Sequence, residues 1–137
     1  MTKKKSETLL KIAFLVGAVT DALAAIIMIF PNLRVFIFAS ENEIITPEYR
    51  YALGMGASLM IGWTALLIWG SLKPVERKGI LVLTVFPVIA GIVLAQIYAV
   101  SSGYISLNNM IPIWIHLTLI SSFFIFSYSK AKKINQT

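Results

Sequence analysis

The chain has 137 residues, 58% hydrophobic and only 13% charged, against roughly 25% charged in ordinary soluble domains, which excludes a soluble globular surface. It has no cysteine and one histidine, which excludes a disulfide framework, a thiol nucleophile and a thiolate metal site. The net charge of +6 gathers in short basic clusters beside apolar runs, a pattern of membrane topology and anionic lipid rather than of a nucleic-acid face.

Four apolar stretches follow in chain order, 9–30, 48–72, 79–101 and 111–129. Each is near the ~20 residues that cross a ~30 Å hydrocarbon layer. Backbone in lipid must satisfy its own hydrogen bonds, so each is predicted to be a helix. Pro31 and Asn32 end the first. A signal-peptide reading, with cleavage near Ala22-Leu23-Ala24, is disfavoured because Asp21 interrupts the apolar region and the run continues through "AIIMIF". Thr46 is placed to cap the second helix, with Pro47 at its first position and Glu48 in its first turn. Pro74 closes it. Pro87 lies inside the third helix and is expected to kink it. Asn108 or Asn109 is expected to cap the fourth, with Pro112 near its start.

Ten of the twelve Lys and Arg lie in three segments: Lys3, Lys4, Lys5 and Lys11; Lys73, Arg77 and Lys78; Lys130, Lys132 and Lys133. The positive-inside rule makes these cytoplasmic. The expectation is an all-α, single-domain, four-helix transmembrane bundle, antiparallel and up-down, with both termini in the cytoplasm of a plasma-membrane protein. Two longer loops then face outward, 31–46 and 102–109. The first contains "LRVFIFASENEII", a candidate for lying flat in the outer interface, and Trp114, Tyr49 and Tyr51 mark an outer aromatic belt.

Lipid supplies no hydrophobic drive between helices, so small residues four apart are the natural packing stripes. Gly54, Ser58 and Gly62 form one, and Gly91, Ala95 and Ala99, continued by Gly103, form another. Gly17, Ala18, Ala22 and Ala25 surround Asp21 on a third face.

Asp21 is twelve residues beyond position 9, ~18 Å at ~1.5 Å per residue, in the outer half of the membrane. His116, Gln96, Tyr98 and Arg50 fall in the same half, so all four helices contribute to a candidate outward-opening polar pocket. An ionised carboxylate alone at such a depth costs ~3 kcal/mol on insertion scales. Protonation, pairing with Arg50 or His116, or hydration in a cavity would relieve it. The rival reading of each residue is structural: a clasp for Asp21, a backbone partner for His116, packing and interface for Gln96 and Tyr98, an outward-snorkelling anchor for Arg50.

The block "YRYALGMGASLMIGWTALLIWGSLKPVERKGILVLT", residues 49–84, contains Arg50, the Gly54–Gly62 stripe, Trp63, Trp69 and a short "KPVERKG" turn. On these it resembles the BphX-like family of small bacterial four-helix membrane proteins. A weaker likeness to DoxX-like proteins rests on an Arg followed by a Gly-rich second helix. The family resemblance implies the fold and the membrane location, and it carries over no catalytic residue.

With no nucleophile, metal cluster or nucleotide loop in view, the expectation is a non-enzymatic protein without cofactor. It would bind a lipid or apolar molecule or assist a membrane partner. Its partners are expected to be the bilayer, with anionic lipid at the cytoplasmic face, and no nucleic acid; a homo-oligomer stays open. The alternatives are an oligomeric proton- or cation-coupled transporter or channel using Asp21, and a membrane enzyme using Asp21 and His116.

Overall fold

The structure, a computed structural model, describes residues 3–30, 32–33 and 46–134. Among them there is no strand, and four helices are long and apolar enough to span a membrane. They are α1, Lys3–Ile29; α2, Pro47–Leu72; α3, Gly79–Ser101; and α4, a 28-residue helix, Leu107–Ile134. The 34–45 part of the outer loop, with its interfacial stretch, lies outside the described residues, as does Pro31.

Two helices overrun their apolar stretches. α1 begins at Lys3 rather than position 9, and α4 runs from Leu107 to Ile134 rather than 111–129. Hydropathy marks where the apolar run ends, not where hydrogen bonding ends. Lys, Glu and Ala are good helix formers in water, so the helix continues past the apolar stretch. Asn108 and Asn109 consequently sit inside the first turn of α4. Ser106 precedes that turn, its carbonyl accepting from Asn109 N–H at 3.1 Å. The start of α2 is as expected: Tyr49 N–H donates to Thr46 Oγ1 at 3.2 Å, and Arg50 N–H to Thr46 O at 3.0 Å.

α3 is interrupted where the proline demands it. The helix is kinked within Thr84–Ile89, where Phe86 leaves helical space at φ −116°, ψ 103°. The residue before proline is pushed out of the α region by the ring. The Phe86–Pro87 peptide is cis. α3 ends in a Schellman motif. Gly103, at φ +74°, donates to Val100 O at 3.1 Å, and Tyr104 N–H donates to Ala99 O at 2.9 Å. Gly103, expected as the last member of a packing stripe, is a helix terminator.

The chain forms two compact units, one made of Met1–Phe14 with Gly70–Thr137 and the other of Leu15–Trp69. In the first, α3 packs against α4 along all three of its segments. Its interior includes Leu10, Phe14, Leu81, Phe124 and Ala131. The Phe14 ring covers Gly70 so closely that a Cβ there would come within 2.9 Å of its Cδ1 and Cζ. In the second, Met28 Sδ lies 3.2 Å from where a Cβ on Gly56 would stand.

These are not the glycines that the spacing singled out. Gly54, Ser58 and Gly62 are all exposed, as are Gly91 and Ala95, with Ala99 half-buried. Among the described residues nothing lies within 4 Å of a Cβ built on Gly54, Gly62 or Gly91, and no side chain closes on any of the three. A period of four identifies a smooth strip on a helix, but the rotation of the helix decides whether that strip meets protein.

Candidate functional site

Hydroxyls in the spans mostly satisfy themselves. Ser58 donates to Gly54 O at 3.0 Å, Thr64 to Met60 O at 2.8 Å, Thr118 to Trp114 O at 2.7 Å and Ser127 to Phe123 O at 2.8 Å. This back-bonding one turn down removes the cost of a hydroxyl in an apolar medium. Asp21 departs from the pattern. Its Oδ2 is buried and has no hydrogen-bond partner, a condition shared among the described residues only by Ser6 Oγ.

The position follows from the α1 sequence. Leu10, Phe14, Ala18 and Ala25 are buried, and the steps 10, 14, 18, 21, 25 keep to one helix face. Asp21 therefore belongs to the inward stripe of α1, as its small neighbours suggested. Next to it in the same unit, Ala22, Ala25, Ile26 and Ile29 of α1 and Ile61 and Thr64 of α2 line an apolar groove of about 280 Å³. The Thr64 hydroxyl is engaged with its own helix, so the groove wall offers hydrocarbon.

The other candidate residues have different surroundings. Arg50 is exposed in the first turn of α2, and no ion pair joins it to Asp21 among the described residues. Gln96, Tyr98 and His116 belong to the other unit. Gln96 Oε1 accepts from Trp114 Nε1 at 2.9 Å. That bond clasps α3 to α4, the structural role weighed for Gln96. It also turns Trp114 into a partner within the protein rather than a belt residue alone. Tyr98 is 67% exposed and, two residues from Gln96, points elsewhere on the helix. His116 is exposed. A second shallow apolar hollow, about 340 Å³, lies on α4 beside Ile111, Trp114, Ile115, Thr118 and Leu119.

The sequence reading missed the Trp114–Gln96 clasp, the two close-approach glycines and Ser6. The clasp had one available signal, a polar amide and an indole at similar predicted depth on adjacent helices. Among the described residues no group of three His, Asp or Glu is placed to hold a metal. No family model, curated protein or solved structure matches the chain.

Proposed function

We propose that this chain is a multi-pass plasma-membrane protein, an antiparallel up-down four-helix bundle with both termini in the cytoplasm, that binds a lipid or apolar molecule without chemically changing it. The observation that carries this reading is the buried, unpartnered Oδ2 of Asp21 on the α1 face that also borders an apolar groove. Asp21 stands next to the groove lining and not within it; an apolar wall beside one polar group is the usual make-up of a small-molecule site. Its occupant is an apolar chain bearing a hydrogen-bond donor, with the donor on Asp21 and the chain in the groove. The likeness of residues 49–84 to BphX-like proteins agrees with the fold and location and adds no activity.

The test uses purified protein in neutral-lipid nanodiscs with a single-chain alkyl amine, the alcohol of equal length and the plain alkane. The amine and alcohol are expected to raise the melting temperature of wild type, and Asp21→Leu to abolish the difference between them and the alkane. Equal shifts in wild type and variant would remove Asp21 from any binding site and leave it a structural clasp.

The second reading, an oligomeric proton- or cation-coupled transporter or channel, draws on the same carboxyl. An acid inside a span is a functional candidate by default. Proteoliposome flux that disappears in Asp21→Asn supports this reading, and flux unchanged by the substitution ends it.

A further inference from the structure

The charge of this protein is divided unevenly. The three basic segments hold ten Lys and Arg against two acids, Glu7 and Glu76, a net of +8. The 31–50 region holds Arg34 and Arg50 against Glu41, Glu43 and Glu48, a net of −1. All three basic segments fall in one compact unit, Met1–Phe14 with Gly70–Thr137.

The central segment is an ordered turn. Arg77 N–H donates to Lys73 O at 3.0 Å, Ile80 N–H to Arg77 O at 3.0 Å and Leu81 N–H to Lys78 O at 3.2 Å. Pro74, within it, is buried. Lys73 Nζ lies 3.4 Å from Glu76 Oε2, a surface pair of the weak kind that screens one charge of the cluster. Lys4, Lys5, Lys11, Lys73, Lys130 and Lys132 are exposed.

Exposed apolar groups adjoin these charges: Leu72 beside Lys73, Ile12 beside Lys11, and Phe126, whose ring centroid is 5.3 Å from Lys130 Nζ. Ammonium groups at the border of a bare apolar surface match a molecule with an anionic head and a hydrocarbon tail. Free phosphate would use only the charge.

We propose that the α1 start, the 73–78 turn and the α4 end form one face that binds the phosphate groups of anionic phospholipids in the adjoining leaflet. This rests on the up-down reading, which brings the three segments to one side. The attraction acts within a Debye length, ~10 Å at ~0.1 M salt and ~3 Å at ~1 M, so it is salt-sensitive.

The experiment compares the full chain in nanodiscs of phosphatidylcholine with nanodiscs that also contain phosphatidylglycerol of the same acyl chains. The melting temperature is expected to rise by several degrees with the anionic lipid and to fall back in high salt. Lys73→Gln/Arg77→Gln/Lys78→Gln is expected to lose most of the rise, as is Lys130→Gln/Lys132→Gln, whose exposed side chains leave the fold intact. Glu76→Gln is expected to enlarge it, and Arg34→Gln to leave it unchanged.

Equal melting temperatures in both lipids would overturn the proposal. So would a full rise retained by both Gln variants, or the same rise produced in neutral lipid by inorganic phosphate. Single cysteines at Thr2, Glu76 and Thr137, clean probes in a cysteine-free chain, separate the two ideas. Labelling by an impermeant maleimide from opposite sides would refute the up-down reading. Labelling from one side with no lipid effect would refute the lipid face alone.

Discussion

Gly70→Ala and Gly54→Ala form a matched pair within α2. Each replaces a helical glycine by alanine, and each gains ~1 kcal/mol of helix propensity in the usual scale. At Gly54 the new methyl meets nothing within 4 Å among the described residues. At Gly70 it would come within 2.9 Å of Phe14 Cδ1 and Cζ and nearer still to Cε1. Phe14 has no exposed surface, so its ring has no solvent-side space to retreat into. Overpacking of this kind costs ~1–3 kcal/mol. The propensity gain is common to both variants, so their difference isolates the clash. Gly70→Ala is expected to be ~1–3 kcal/mol less stable than Gly54→Ala, with Gly54→Ala neutral or stabilising. Reversible unfolding in mixed micelles, followed by tryptophan fluorescence, measures both. If Gly70→Ala matched or exceeded Gly54→Ala in stability, the close packing of Phe14 on Gly70 would be refuted.

Three further outcomes are expected. Gly103→Ala forces a side chain to φ +74°, at a cost of ~1–2 kcal/mol, and amide exchange should quicken first at Tyr104, whose N–H closes the Schellman motif. A double-mutant cycle with Gln96→Leu and Trp114→Phe should give a coupling of ~0.6 kcal/mol and at most ~1.7 kcal/mol, the range for hydrogen bonds between membrane helices; zero coupling would mean the 2.9 Å bond adds nothing to α3–α4 association. Ser6→Ala removes a buried hydroxyl without a partner and should be neutral or stabilising by up to ~1 kcal/mol, whereas a loss of stability would show that Ser6 has an acceptor after all.

Much of the architecture could be read from single residues. Four apolar runs of spanning length became four helices because a backbone in hydrocarbon has no other way to close its hydrogen bonds. Thr46 capped α2 and Pro87 broke α3 because capping and proline sterics act over a few residues. Asp21 stood out for the same local reason: one acid in a run of hydrocarbon is visible without any fold.

What needed three dimensions was the rotation of each helix and the identity of its neighbour. Gly54, Gly62 and Gly91 have the better spacing, yet Gly70 and Gly56 have the side chains against them. Lipid and protein interior are equally apolar, so hydropathy cannot tell an inward face from an outward one in a span. Gln96 reads as a lone amide until α4 brings Trp114 to it. The helix ends at Lys3 and Ile134 lie beyond the apolar runs because hydrogen bonding, and not hydropathy, ends a helix. Composition and local stereochemistry thus determined the helices, their caps and the suspicious acid. Only the tertiary structure decided which glycines lie under a neighbouring side chain, and that among the described residues Asp21 Oδ2 is buried with no partner, because those are properties of surfaces that meet, and sequence records only the surfaces.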